Sequence, residues 1–351
     1  MKEETDHHEH AAPKFLSTTN KPNPMKTRTL LSLSVLSLSL LQACGGGGGG
    51  GFPVALAPTS AASGQSEPES KSPEDGQDAQ TPSTETPDTS PSPPPTDVRA
   101  PVPGSEPAPS LNAPQAGSTA EASTGFDGIY EATFGYTFIT PQGVLARKDL
   151  LDWTWGSINI QGSDWAFNPD TRVRQGSFAE KTATGSGTFT AKTSMTGRIS
   201  VDGREATKWG PLKYSISNAL AIKQEALAGN WSVTERTNGG LGMAIEFDSA
   251  GGFTGTTAGS QIGVCKLTGA AIQATPGSAR NLFYMTMTAT NAASGTEKPC
   301  ALDTTLPYTA LSAVVLEAAG FFEQNGYFRA FVFHARTANG AMVTNFLHRE
   351  R

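Results

Sequence analysis

The placement of aromatic residues limits most strongly what this chain can fold into. Aromatics stand at Phe15 and Phe52 and then not again until Phe126, and all five tryptophans and six tyrosines lie beyond residue 125. A stretch without large apolar side chains cannot offset the entropy of ordering its backbone. The sequence therefore predicts a folded region over 125–351, enough for one sizeable β-domain or two small ones.

Residues 25–43 read as an export signal. Lys26 and Arg28 make a positive start, residues 30–41 (LLSLSVLSLSLL) are an apolar run, and Ala43 is a small residue before Cys44. These 12 residues are too few to cross an apolar bilayer core of about 30 Å as a helix. Leu41, Gln42, Ala43 and Cys44 resemble the lipobox of bacterial lipoproteins. The resemblance implies cleavage before Cys44, diacylglycerol on its sulfur and attachment to the membrane through that lipid. The other reading is an ordinary signal peptide with an incidental cysteine. Gly45 stands where an Asp would mark inner-membrane retention, so the resemblance implies the outer membrane. Residues 1–24 read as a non-structural extension. Their tract Asp6, His7, His8, Glu9, His10 is assigned no metal, because a piece removed on export cannot serve the mature protein.

Residues 44–124 read as the acylated cysteine followed by a disordered linker. A glycine run fills 45–51, and Pro, Ser, Thr, Ala, Glu and Asp dominate the rest. Proline extends such a chain towards polyproline II at about 3.1 Å per residue, a reach on the order of 200 Å at full stretch. Poly-glycine after an acylated cysteine also resembles the start of surface-exposed, barrel-headed lipoproteins of the transferrin-binding and factor-H-binding kind. That likeness covers the anchor region only and implies display on the outer face. The periplasmic face and the cell surface both stay open.

Beyond residue 125 the pattern is all-β, with a period near two and turn residues every eight to twelve positions. Phe283, Met285 and Met287 share one strand face. Tyr327, Arg329, Phe331 and Phe333 share another, opposite Phe328, Val332 and His334. Asn339 and Gly340 predict a hairpin turn, as do the small residues between Phe247 and Phe253. The best helix candidate is 218–227, NALAIKQEAL. Two faintly similar halves are expected, a β-rich subdomain over 125–226 and a barrel-like one over 227–351. Gly128 and Tyr130 answer Gly229 and Trp231, while Phe189 and Thr196 answer Phe253 and Thr268. Antiparallel barrels and a larger sandwich both satisfy this pattern. Gly229, Asn230 and Trp231 also resemble the opening of lipocalin-like barrels, which would imply a small-ligand cup and a late arginine, Arg349 or Arg329, over the tryptophan.

Cys265 and Cys300 are an even pair, which an oxidising compartment would join as a disulfide; the other reading is two buried thiols. No metal-ligating spacing, phosphate loop or nucleophile motif is present beyond residue 125, so no cofactor and no metal are assigned. His334 reads as a strand histidine and not a base. Carboxylates at Asp149, Asp152, Asp164 and Asp170, and at Glu246 and Asp248, would serve a hydrolase only if two of them faced one cleft. Trp153, Trp155, Trp165 and Trp231 are candidate ligand-stacking residues, set against the plainer reading of core packing. A net charge of −6 without a basic cluster argues against nucleic acid. The expectation is a non-enzymatic outer-membrane lipoprotein whose β-domain binds an unknown protein or small molecule. A lipocalin-like carrier and an envelope hydrolase using paired carboxylates stand as the alternatives.

Overall fold

The structure is a computed structural model and describes residues 97–350, apart from Asn238. The export signal, Cys44 and the glycine run lie outside the described residues. Two antiparallel eight-stranded barrels follow one another in the chain, so the barrel alternative holds and the sandwich does not.

The first barrel is built from β1 (Gly128–Ala132), β2 (Gly135–Ile139), β3 (Val144–Asp149), β4 (Asp152–Gln161), β5 (Asp164–Phe167), β6 (Arg172–Gln175), β7 (Lys181–Thr190), β8 (Ser194–Val201) and β9 (Thr207–Tyr214). Short strands β5 and β6 share one position in the ring, because β4 pairs with β6 along its first half and with β5 along its second. Pairing of β1 with β9 closes the ring. The second barrel is a plain up-and-down meander of β10 (Gly229–Val233), β11 (Gly242–Phe247), β12 (Gly252–Ala258), β13 (Cys265–Gln273), β14 (Phe283–Asn291), β15 (Tyr308–Ala318), β16 (Tyr327–Thr337) and β17 (Met342–Arg349). Here β17 pairs with β10 at the seam.

The alternation read from the sequence sets these strands. Phe283, Met285 and Met287 are buried, while the threonines and Tyr284 between them are exposed. Trp231, Phe247, Phe253, Phe283, Phe331 and Phe333 fill the second barrel, and Leu220, Ile222 and Leu227 from the inter-barrel segment join that core. Cys265 and Cys300 form the expected disulfide, S–S 2.10 Å. Residues 218–227 are not a helix: 3₁₀ turns occupy Ile216–Ala219 and Gln224–Leu227. Asn218 explains part of the difference. Its amide brackets Ile129, accepting from the Ile129 N–H at 2.8 Å and donating to the Ile129 carbonyl at 2.7 Å, and so uses the side chain to dock onto β1.

The two halves correspond at their seams. Tyr130 donates its hydroxyl to the carbonyl of Phe126, and Trp231 its indole N–H to the carbonyl of Leu227, each four residues upstream. Across the seam, Tyr130 pairs with Tyr214 and Trp231 with Arg349. The second expected correspondence fails. Phe189 and Thr196 lie on β7 and β8, the last but two and last but one positions of their ring, whereas Phe253 and Thr268 lie on β12 and β13, the third and fourth of theirs.

Strands β15 and β16 are buried on both faces, because the outer one carries the first barrel. Leu311, Ala313, Val315, Ala330 and Val332 pack there on Ile129, Phe138 and Ala146. Such two-sided burial produces a continuous apolar run, legible in Ala310, Leu311, Ala313, Val314, Val315 and Leu316.

Residues 97–124, expected to be free linker, are ordered and packed on the barrels. Glu106 bridges Tyr327 through backbone hydrogen bonds and pairs with Arg329 at 2.6 Å. Gln115 reaches Ala219 and Ala221, and the one-turn helix α1 (Thr119–Ala122) buries Ala120 in the core of the first barrel. Proline content does not prevent this order. An extended segment without internal hydrogen bonds is stable when its polar backbone finds partners on a neighbouring surface.

Candidate ligand-binding site

The two ends of the first barrel differ. Where β1 begins, Ala120 of α1, Leu111 and Phe126 cover the core of Tyr130, Ile139, Trp165 and Tyr214. The other end is made by four connections, 133–134, 150–151, 176–180 and 202–206, of which the third is tied to the second barrel by Glu180 and Arg336.

That end exposes an apolar lip. Phe134 is 60% exposed, Leu150 60%, Leu151 65% and Phe178 76%. The loops that bear them touch. The Phe134 N–H donates to Asp149 Oδ1 at 3.0 Å, and the Gly176 N–H donates to the Leu151 carbonyl at 3.1 Å. Gly135 makes the first contact feasible, because a Cβ there would stand 2.2 Å from the Lys148 carbonyl oxygen. Leu150 begins the two-residue β3–β4 turn at φ 49°, a left-handed conformation that usually calls for glycine. Isolated large apolar residues on a surface need no explanation, but a cluster at one barrel end is a mark of an interaction site.

Beneath the lip lies a polar floor. Arg147 and Thr137 are directly opposed on β3 and β2, and both point inward with Leu145 and Ile139. The Arg147 guanidinium stands 5.3 Å from the centre of the Trp209 ring and pairs with Asp149 at 2.5 Å. Arg147 is 8% exposed, Trp209 1% and Thr137 0%, yet Arg147 Nε, Trp209 Nε1 and Thr137 Oγ1 have no hydrogen-bond partner among the described residues. Burial pushes the Arg147 guanidinium below its usual range, and the carboxylates of Asp149 and Asp152 oppose that shift. A buried polar group left unpaired costs about 1–3 kcal/mol, so three of them in one place call for a reason.

The four tryptophans singled out from the sequence do not share a site. Trp165 lies inside the first barrel, donating to the Thr196 carbonyl, with its ring centre 4.8 Å from that of Trp209 and tilted to it by 54°. Trp231 lies inside the second barrel with Arg349 above its ring at 5.7 Å, while Arg329 is engaged by Glu106. Trp155 packs against the inter-barrel cluster, and Trp153 meets His334 edge-on at 6.1 Å. Core and interface packing therefore account for them. His334 is itself interface. It is fully buried, stacked on Phe138, with Nε2 3.0 Å from the Tyr136 carbonyl and Nδ1 2.8 Å from Thr344 Oγ1. A carbonyl only accepts, so Nε2 carries the proton; burial pushes the pKa down to about 3 and keeps the ring neutral.

The carboxylates are engaged or dispersed. Asp149 faces Asp152 across the β3–β4 turn, but its oxygens take the Arg147 guanidinium and the Phe134 N–H. Asp248 caps its own turn through the Ala250 and Gly252 N–H groups. No group of three or more potential metal ligands occurs among the described residues. No residue of the lip or the floor was singled out from the sequence; only Asp149, between them, was. Trp209 shares the inward face with Leu212 and Tyr214, an interval of three that strict alternation does not give; nothing in Val144 to Asp149 flags Arg147 as buried.

Compared with protein-family models, with curated proteins and with solved structures, the chain matches none of them.

Proposed function

We propose that this chain is a non-enzymatic, lipid-anchored outer-membrane protein that binds a ligand or partner at the apolar-lipped end of its first barrel. The observation that carries this reading is the lip of Phe134, Leu150, Leu151 and Phe178, at the end of the first barrel opposite the one that Ala120, Leu111 and Phe126 pack against. Anchoring rests on Cys44 in its lipobox-like setting, and the glycine- and proline-rich residues after it supply length.

The route of the chain suits this reading. Residues 102–106 are held at the start of β16 by Asn325, Tyr327 and Arg329, whereas Glu180 beside the lip is held by Arg336 near its end. Seven residues of extended strand, about 23 Å, lie between these two points. A head hung from residue 97 thus carries its lip away from the point of attachment. A carrier of the lipocalin kind would lodge its ligand inside the second barrel, but aromatic side chains occupy that interior.

Labelling of intact cells with a membrane-impermeant maleimide tests the display. With Phe178→Cys, the reading expects labelling before lysis, to the extent reached after lysis. Labelling only after lysis would remove the cell surface from the account.

A further inference from the structure

We infer that the mouth of the first barrel takes a slim amphipathic molecule headed by a hydrogen-bond-accepting oxygen, a short-chain aliphatic carboxylate being its simplest form. The inference deepens the proposed binding role and rests on the same end. Its own observation is the floor: Arg147 Nε–H and Trp209 Nε1–H are two buried donors without an acceptor among the described residues, and the equally unpaired Thr137 hydroxyl stands opposite Arg147 on β2. Trp Nε1 and Arg Nε can only donate, so what completes them must bring an acceptor. Asp149 already occupies Nη2 of Arg147 and leaves the Nε edge free.

Position sets the rest of the ligand. Arg147 lies two residues below Asp149 on β3 and three below Leu150 in the turn that follows, about 7–10 Å of extended chain. For an acceptor that enters between these loops, Phe134, Leu150, Leu151 and Phe178 offer an apolar body somewhere to lie. A narrow head on an aliphatic chain satisfies both conditions. A cationic head does not, because it brings donors to donors and a charge to a guanidinium.

The probe is hexanoate, titrated into the purified full chain with its tryptophan indoles ¹⁵N-labelled. The chain has five indole N–H groups, and the signal lost in Trp209→Phe is the one that matters. Hexanoate should shift the Trp209 signal downfield and saturably, while hexylammonium, with the same apolar body, should leave it in place. Thr137→Val should weaken the hexanoate effect roughly two- to tenfold, the worth of one hydrogen bond. An unmoved Trp209 signal, or an equal response to both probes, overturns the inference. If Trp209 shifts but Phe178→Cys is shielded on intact cells, the display at the surface fails and the ligand class stands. If Phe178→Cys is labelled and Trp209 does not move, the ligand class fails alone.

Discussion

Arg349 lies over the ring of Trp231 at 5.7 Å, directly across the seam where β17 meets β10. The same guanidinium donates to the Ala228 carbonyl at 3.1 Å, next to the Leu227 carbonyl that takes the indole N–H. One pair therefore ties the first strand, the last strand and the 3₁₀ turn before the barrel. Truncation of Trp231 to Ala should cost about 3–5 kcal/mol, as for a large buried aromatic. Arg349→Ala should cost about 1 kcal/mol through the lost cation–π contact and carbonyl bond. Urea denaturation followed by tryptophan fluorescence measures both, and equal losses would contradict this ordering.

Asp127 and Arg280 join the two barrels by a buried ion pair at 3.1 Å. Ser123, Thr124 and the Thr124 N–H also donate to the Asp127 carboxylate. Removing only the cation leaves that charge buried and uncompensated. Arg280→Met should therefore destabilise by about 3–5 kcal/mol, more than Lys181→Met, whose pair with Asp202 is half exposed. Calorimetric Tm values of the two variants compare them directly.

His334 gives the fold a pH dependence with a definite sign. An unfolded chain binds the proton near pH 6.5, whereas the folded ring resists it until about 3. Stability is therefore whole above 6.5 and falls as pH drops through that window, by on the order of 5 kcal/mol in all. His334→Gln should flatten the fall in the urea midpoint between about pH 7 and about pH 4.5. An unchanged slope in the variant would assign the acid sensitivity elsewhere. Lys148, Trp153, Phe138, Thr344 and the Tyr136 carbonyl face the ring, and Lys148 further opposes a charge on it.

Leu150 is strained where it is displayed. Its φ of 49° suits glycine, and the left-handed region costs a side chain about 1–2 kcal/mol. Leu150→Gly should leave Tm unchanged or raise it by a few degrees, the gain being offset in part by glycine's greater freedom in the unfolded chain. A marked loss of Tm would mean that the leucine packs in the fold and does not serve the lip.

Much of this architecture was legible in the sequence, and the reasons differ by element. Alternation in β14 and the turns at Asn339 and Gly340 and between Phe247 and Phe253 are local, so they could be read. The Cys265–Cys300 bridge followed from compartment and parity. Order in residues 97–124 was not legible, because it depends on Arg329, Asn325 and Ala219, more than a hundred positions away. The floor was hidden for a similar reason. Thr137, Arg147 and Trp209 meet only when the ring closes, and a charged side chain gives no sign in sequence that its strand will turn it inward.

The most direct test of the account places a photo-crosslinking amino acid at Phe178 on the lip and, in a second chain, at Phe321 in the β15–β16 turn. Both side chains are strongly exposed and apolar, so exposure alone does not separate them. Irradiation of intact cells should give a discrete adduct at 178 and only diffuse background at 321. Equal adducts at both positions, or none at 178, would contradict a recognition end on the first barrel.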